Sequence, residues 1–216
     1  TTDNDISAAL SEEMDVHAWA NQTNEEYYEC LKNVMTSQPQ LLIDDGCDLI
    51  FLAHKKYPEV VKAMYGACEE TTTGIVRLRA MLSDNALKFP VMAVNNAYSK
   101  YLFDNRYGTG QSVIEGILSA TNTLIAGKNV VVIGYGWCGR GIAQRLKGLG
   151  AKVHVVETVS NISGGPSGYH RALEALYDGC WVGALDEIVD KGDIFISATG
   201  NKHVINKEHM KNQHQN

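Results

Sequence analysis

The sequence has no cluster of basic residues, no cysteine pair spaced as CxxC and no apolar run long enough to cross a bilayer. The net charge of −6 excludes an extended nucleic-acid surface, because neutralising phosphates requires clustered Lys and Arg. The densest basic spot, Lys55-Lys56, is typical of a solvated helix end. A membrane helix needs about 20 apolar residues. We therefore expect neither a nucleic-acid partner nor a membrane partner.

The cysteines form no recognisable framework, since they are scattered along the chain and odd in number. They are Cys30, Cys47, Cys68, Cys138 and Cys180. Such spacing supports neither disulfides nor a zinc site and is typical of reduced thiols. We expect a cytoplasmic protein without a bound metal. The chain begins without Met and stops on the polar stretch 211–216, from which we expect a fragment truncated at both ends.

Short apolar, β-branched runs alternate with amphipathic stretches, which predicts an α/β fold built from βαβ units. The predicted strands are Leu41–Ile43, Val91–Val94, Val130–Ile133, Val153–Val156, Trp181–Val182 and Ile194–Ser197. The predicted helices are Asn24–Met35, Thr73–Leu82, Ser112–Leu124, Gly141–Leu149, Arg171–Tyr177 and Leu185–Asp190. We predict a Rossmann-type doubly wound parallel sheet over residues 111–216, preceded by part of a second α/β substrate domain over residues 1–110.

The segment Gly134-Tyr-Gly-Trp-Cys-Gly139 stands between an apolar strand sequence and a helix start, as a dinucleotide-binding fingerprint requires. Gly134 permits a tight turn, Gly136 lets the backbone approach a pyrophosphate, and Gly139 lets the helix pack on the strand. The helix N-terminus then presents unpaired N–H groups and a positive dipole end to the phosphates. A bare GxGxxG motif is weak evidence, but here the strand and the helix accompany it.

A carboxylate, Glu157, ends the next predicted strand. At this point of the fingerprint an acid accepts hydrogen bonds from both ribose hydroxyls. It also repels a 2′-phosphate, which predicts NAD in preference to NADP. The alternative interpretation is an exposed strand-end residue without a ligand.

Three polar clusters, at residues 44–48, 69–74 and 99–105, precede the glycine-rich segment, each at the end of a short apolar run. Loops at the carboxyl ends of parallel strands are where α/β proteins bind ligands. Taken singly, the clusters have simpler interpretations. Asp48 and Thr71–Thr73 would serve as helix caps, and Lys100 with Asp104 would form a surface ion pair.

Taken together, these motifs resemble the S-adenosyl-L-homocysteine hydrolase family. The resemblance rests on LIDDGCDL from Leu42, EETTTG from Glu69, the KxxxDN string from Lys100 and GYGWCGRG from Gly134. The motifs keep the family's order and spacing, and the similarity extends to about Thr199-Gly200. The resemblance implies reversible hydrolysis of S-adenosylhomocysteine to adenosine and homocysteine, with a tightly held NAD. It also implies a homo-oligomer.

The resemblance assigns roles to matching positions. The implied substrate and catalytic residues are Asp45, Glu70, Lys100 and Asp104. The implied cofactor residues are Thr71, Thr72, Thr73, Asn105, Gly134, Gly136, Trp137, Cys138, Gly139, Arg140, Gly141 and Glu157. In this chemistry NAD takes hydride from the ribose 3′-carbon, and the ketone then acidifies the C4′ proton, whose loss expels the thiol. Lys100 is the predicted base for the 3′-hydroxyl. Glu70 is predicted to bind ribose hydroxyls, and Asp45 and Asp104 to position the ribose and share later proton transfers.

The chain departs from the family pattern in three respects. Thr109 stands where the family commonly has Cys, so we expect no thiol role there. A Gly/Ser-rich insertion, Thr158–His170, follows Glu157. The family's segments with a catalytic His and a basic C-terminal tail have no counterpart, so we expect no complete hydrolase cycle from this chain alone. Two other interpretations stay open: a catalytically silent NAD-binding relative that pairs with full-length subunits, and an NAD dehydrogenase of the 2-hydroxyacid type.

Overall fold

The computed structural model describes residues 2–158 and 168–212. The chain divides into two compact units, Thr1–Ala97 and Tyr98–Asn216. This division falls earlier than residue 110, so Lys100, Asp104 and Asn105 belong to the second unit. Within the described residues, no helix combines the length and the apolar character that crossing a membrane requires.

The first unit contains a three-stranded parallel sheet in the order β1-β2-β3. Its strands are β1 (Leu41–Asp44), β2 (Gly66–Glu69) and β3 (Val91–Ala93). Its helices are α1 (Asn4–Leu10), α2 (Asn24–Thr36), α3 (Asp48–Lys56), α4 (Pro58–Ala63) and α5 (Thr72–Ser83), with a 3₁₀ turn at Val94–Asn96. The register pairs Asp44 with Glu69 and Glu69 with Ala93, so the carboxyl ends of the three strands lie at one edge.

The central strand β2 was absent from our predictions, because Gly66-Ala-Cys-Glu69 contains no β-branched or aromatic residue. Its small residues suit a crowded position. A Cβ on Gly66 would lie 3.0 Å from the carbonyl oxygen of Pro90. By contrast, the interpretation of Lys55-Lys56 as a helix end is confirmed, since α3 ends at Lys56.

The second unit contains a four-stranded parallel sheet in the order β6-β5-β4-β7. Its strands are β4 (Asn129–Ile133), β5 (Lys152–Val156), β6 (Trp181–Val182) and β7 (Ile194–Ser197). Its helices are α6 (Tyr98–Lys100), a π-helical segment (Tyr101–Gly108), α7 (Thr109–Thr121), α8 (Trp137–Gly148), α9 (Gly168–Tyr177), α10 (Leu185–Ile188) and α11 (Lys207–Asn212). The strand order reverses at β4, which is the switch point of a doubly wound sheet. The predicted fold class is confirmed.

The predicted boundaries of several helices were wrong, since α7 begins at Thr109 rather than Ser112 and α10 ends at Ile188 rather than Asp190. Helix α8 begins at Trp137 rather than Gly141, because the last residues of the glycine-rich segment already form its first turn. Helix α7 ends at Thr121 rather than Leu124, because Asn122 adopts a left-handed conformation with φ 50°. Most of the predicted insertion Thr158–His170 lies outside the described residues, and α9 begins at Gly168.

Candidate active site

The turn from β4 to α8 has the geometry of a phosphate-binding loop. Gly134 has φ 96°, and a Cβ there would lie 3.0 Å from the carbonyl oxygen of Ala198. A Cβ on Gly139 would overlap the carbonyl oxygen of Gly134. At Gly136 a Cβ would meet nothing within 4 Å. Gly134 and Gly139 are therefore needed by the fold itself, whereas Gly136 leaves open space beside the turn.

Helix α8 begins at this open space without a capping side chain. Its N-cap is Gly136, which has no side chain that could accept a hydrogen bond from the first helical turn. The first N–H groups of a helix have no partner within the helix, and the dipole adds positive potential there. The start of α8 therefore fits a pyrophosphate group.

Glu157 lies against the same turn. Its Oε2 accepts a hydrogen bond from the backbone N–H of Tyr135 at 2.7 Å, and its Oε1 accepts one from the N–H of Thr158 at 3.0 Å. An Arg171 nitrogen lies 3.9 Å from Oε2, and only 6% of the Glu157 side chain is exposed. The alternative interpretation of Glu157 as an exposed strand-end residue is therefore wrong.

Lys100, Asp104 and Asn105 form a second polar group. The Lys100 ammonium donates to Asn105 Oδ1 at 2.7 Å and lies 3.3 Å from Asp104 Oδ2. The side chains of Lys100 and Asp104 are 14% and 61% exposed, respectively. The π-helical segment brings residues five apart onto one side, which aligns Lys100 with Asn105. The predicted ion pair is present, but its lysine is largely buried and also donates to the Asn105 amide oxygen.

A thiol lies beside Thr109, although Thr109 itself replaces the expected Cys. The Thr109 side chain hydrogen-bonds to the Cys138 thiol, and the charges of Lys100 and Asp104 act on that thiol. Burial raises the pKa of Cys138, while the Thr109 hydrogen bond and Lys100 oppose the rise. Sequence reasoning missed this contact, because Thr109 and Cys138 meet only once α7 and α8 pack together.

Three predicted cofactor residues on α8 have packing partners. A Cβ on Gly141 would overlap the carbonyl oxygen of Arg106, so Gly141 serves close packing. The Trp137 ring lies 4.9 Å from the ring of Tyr101, centroid to centroid. The Arg140 guanidinium lies 4.4 Å from the Trp137 centroid and forms an ion pair with Glu174. The structure thus groups Gly134, Gly136, Gly139 and Glu157 at the open turn. By contrast, the Trp137 and Arg140 side chains and the Gly141 backbone pack against other protein groups.

In the first unit, two buried carboxyl groups connect the loops that carry Asp45 and Glu70. Asp44 accepts hydrogen bonds from Ile50 N at 2.9 Å and Asp45 N at 3.0 Å. Glu69 Oε1 accepts from Gly46 N at 2.8 Å and Thr71 N at 3.1 Å. Burial raises the pKa of both carboxyl groups, and these backbone hydrogen bonds oppose the rise. Asp45 itself is exposed and Glu70 is half-buried.

The helix-cap interpretation of this region was wrong. Asp48 is the first residue of α3, follows a left-handed Cys47 and pairs with Arg77 at 2.7 Å. Thr71 precedes α5 but makes no side-chain cap. Instead, the buried carboxyl groups accept hydrogen bonds from backbone N–H groups at these helix starts. Asp44 accepts one from Ile50 N, and Glu69 accepts one from Thr71 N. Thr72, at the start of α5, accepts a hydrogen bond from the Asn95 amide at 2.9 Å. The Thr71 hydroxyl therefore does not cap α5, and the Thr72 hydroxyl bonds to Asn95.

The reversed strand order, the glycine-rich turn and the acid after β5 define the second unit as a Rossmann-type dinucleotide-binding domain. Residues 105–216 match the family model described as S-adenosyl-L-homocysteine hydrolase, NAD binding domain. Residues 1–56 match the model described as S-adenosyl-L-homocysteine hydrolase. The chain belongs to the S-adenosyl-L-homocysteine hydrolase family. The predicted cofactor, NAD, is confirmed, and the 2-hydroxyacid dehydrogenase interpretation was wrong.

Curated relatives carry two different names. The chain is 57% identical over 211 residues to an S-inosyl-L-homocysteine hydrolase of Methanocaldococcus jannaschii, covering 97% of this chain and 49% of that protein. It is 53% identical over 212 residues to an adenosylhomocysteinase of Archaeoglobus fulgidus, covering 98% of this chain and 50% of that protein. The chain therefore spans about half the length of the curated relatives it matches.

A solved structure shares the fold at low sequence identity. The A chain of dipicolinate synthase from Bacillus subtilis matches with a TM-score of 0.51 and 18% identity, covering 71% of this chain and 49% of that chain. Such a likeness concerns the fold alone.

Proposed function

We propose that the protein containing this chain hydrolyses S-adenosyl-L-homocysteine reversibly to adenosine and L-homocysteine. The observation that carries the proposal is the polar group formed by Lys100, Asp104 and Asn105, with Cys138 from the start of α8 beside it. Within the second unit, Lys100, the proposed proton acceptor, lies near Cys138 in the first turn of the helix proposed to bind the cofactor. Retention of these residues also argues against a catalytically silent relative.

The proposed roles follow from the contacts. Bound NAD would supply reversible oxidation at the ribose 3′-carbon. Lys100, oriented by the Asn105 amide, would accept the proton of the 3′-hydroxyl in its neutral amine form. Asp104 offers a second, exposed carboxylate for later proton transfers. Asp45 and Glu70 are the proposed ribose-binding groups of the first unit, and the buried Asp44 and Glu69 fix the loops that carry them.

The cofactor residues are proposed from the same geometry. Gly136 leaves the space that a pyrophosphate requires, and the uncapped start of α8 supplies N–H donors. Glu157 is the proposed acceptor for the ribose hydroxyls on the adenine side. The hydroxyls of Thr71, Thr72 and Thr73, with the Asn105 amide, are further proposed cofactor contacts.

The identity of the purine base distinguishes two candidate substrates. Four relatives named S-inosyl-L-homocysteine hydrolase are 51–57% identical to this chain, whereas four named adenosylhomocysteinase are 51–53% identical. Hydrolysis of S-inosyl-L-homocysteine is therefore the second candidate function. Both candidates use the same thioether chemistry and differ only in the 6-substituent of the purine.

The test is homocysteine release by the natural protein that contains this chain, with each thioether offered separately. We expect turnover of both at unequal kcat/KM, with S-adenosyl-L-homocysteine preferred. A preference for the inosyl substrate would change the proposed purine from adenine to hypoxanthine but would leave the proposed reaction unchanged. Release from neither, with NAD bound, would contradict the proposed function.

We further propose that the protein acts in the cytoplasm as a homo-oligomer. The five cysteines are free thiols, as a reducing compartment requires. A groove of about 470 Å³ runs between α7 and α8, and Ile114, Leu118 and Leu149 contribute apolar surface to it. Sedimentation equilibrium of the natural protein would measure the oligomeric state, and a strictly monomeric protein would contradict the proposal.

A further inference from the structure

A second cleft, of about 270 Å³, runs beside α8 and has no role in the proposed reaction. Its lining residues are Arg106, Tyr135, Arg140, Gln144, Lys147 and Asp178. Arg140, Gln144 and Lys147 are spaced so that they lie on one face of α8, and this face forms one wall of the cleft. Lys147 belongs to the last turn of α8, about 15 Å along the helix axis from Trp137. The cleft therefore extends well away from the glycine-rich turn.

The charges around this cleft are unbalanced. Asp178 accepts a hydrogen bond from the Tyr135 hydroxyl at 2.7 Å, and the Asp178 carbonyl accepts one from the Lys147 ammonium. Arg140 is paired with Glu174. Arg106 forms no ion pair with any residue in the described part of the chain. Three cations, Arg106, Arg140 and Lys147, thus stand beside two carboxylates, Glu174 and Asp178, which leaves one positive charge in excess.

Both arginines also have hydrogen-bond donors without acceptors. The Nε atoms of Arg106 and Arg140 are buried, and neither has a hydrogen-bond partner within the described residues. A buried N–H without a partner destabilises a protein unless a ligand or water accepts its hydrogen bond. The Arg140 side chain is 9% exposed and is fixed by Glu174 and by the Trp137 ring. The Arg140 guanidinium is therefore held in place before any ligand arrives.

We propose that this cleft binds a tetrahedral oxyanion, either inorganic phosphate or a phosphate monoester. Guanidinium groups match phosphate oxygens with directed N–H donors, and a charge-assisted hydrogen bond is about twice as strong as a neutral one. Arg106 and Arg140 supply the two guanidinium groups. The Gln144 amide and the Lys147 ammonium add donors along the same wall, and the cleft is large enough for a phosphate with part of an ester group.

The test is isothermal titration of the chain, in the absence and presence of saturating NAD, with inorganic phosphate and with glycerol 3-phosphate. We expect saturable binding that persists when NAD is bound. Arg106→Gln removes the uncompensated charge and should weaken phosphate binding at least about tenfold while leaving NAD affinity unchanged. Arg145→Gln is the matched control, because Arg145 lies on α8 but lines the groove between α7 and α8. The control should bind phosphate as the parent does.

The outcomes separate the possibilities. Tighter binding of glycerol 3-phosphate identifies a monoester as the ligand, and binding of inorganic phosphate alone identifies the free ion. Absence of saturable binding, displacement by NAD, or equal weakening by Arg106→Gln and Arg145→Gln would overturn the proposal. Lys147→Gln, at the far end of the cleft, provides a second variant with the same expectation if circular dichroism shows that Arg106→Gln is not folded.

Discussion

The Glu157 carboxylate accepts the backbone N–H of Tyr135 at 2.7 Å, which ties the residue after β5 to the glycine-rich turn after β4. The two strands are register partners, Ile133 with Val156, so this contact follows directly from the pairing of the sheet. A single side chain thereby holds the turn and places a negative charge beside it. This charge is the basis of the expected preference for NAD over NADP.

We predict that Glu157→Ala lowers NAD affinity by about 2–4 kcal/mol, because hydrogen bonds from two ribose hydroxyls to a charged acceptor are lost. Isothermal titration of NAD into the chain measures the change. Glu115→Ala, on the exposed surface of α7, is the control and should bind NAD normally. Equal affinities for NAD and NADP in the unmodified chain would contradict the role of Glu157.

Substitutions at two glycines of the turn should have different effects, one on stability and the other on NAD binding. Gly139→Ala places a methyl group against the carbonyl oxygen of Gly134, so we expect a loss of about 1–3 kcal/mol in unfolding free energy. Gly136→Ala meets no protein atom within 4 Å, so we expect an unchanged melting temperature and weakened NAD binding. Gly148→Ala also projects into open space and should change neither property. Normal NAD affinity in Gly136→Ala would show that the pyrophosphate binds elsewhere.

Lys100→Met, made in the natural protein that contains this chain, should leave NAD bound but reduce NADH formation from adenosine at least about 100-fold, because the proton acceptor is gone. The absorbance of bound NADH after adenosine is added is the readout. Lys88→Met is the control, since the exposed Lys88 ammonium bonds only to the Asn85 carbonyl among the described residues. Undiminished NADH formation would contradict the role of Lys100 as the base and would leave it only as the ion-pair partner of Asp104.

The buried Glu69 predicts a pH dependence of stability. Its folded-state pKa is raised by burial, so the folded state binds the proton more tightly than the unfolded state does. The resulting stabilisation is full below the ordinary Glu value of 4.5 and is lost as the pH rises through the raised value. Glu69→Gln keeps an oxygen that can accept from Gly46 and Thr71 but cannot ionise.

We therefore expect the free energy of unfolding of Glu69→Gln to fall less than that of the parent between about pH 5 and about pH 8. Urea unfolding at the two pH values, monitored by circular dichroism, measures the free energy of unfolding of the parent and of the variant. Glu59→Gln, exposed on α4, should keep the slope of the parent. An identical slope in Glu69→Gln would mean that Glu69 does not contribute to the pH dependence.

The sequence by itself determined the features that depend on neighbouring residues. The glycine-rich turn, the buried strand Val130–Ile133 and the alternation of strands and helices are local patterns, and the structure confirms each of them. Strands Trp181–Val182 and Ile194–Ser197 were predicted with the bounds that the structure gives. Short periodicity is set by backbone geometry, so it can be read without knowing the fold.

Only the tertiary structure decided which distant residues meet. Strand β2 carries no propensity signal and exists because β1 and β3 pair with it on both sides. The contact of Cys138 with Thr109, the link from Glu69 to Gly46, and the cleft shared by Arg106 and Arg140 each join residues far apart in the chain. Such contacts depend on packing and on the burial of charge, which arise only when the elements assemble, and no local pattern encodes them.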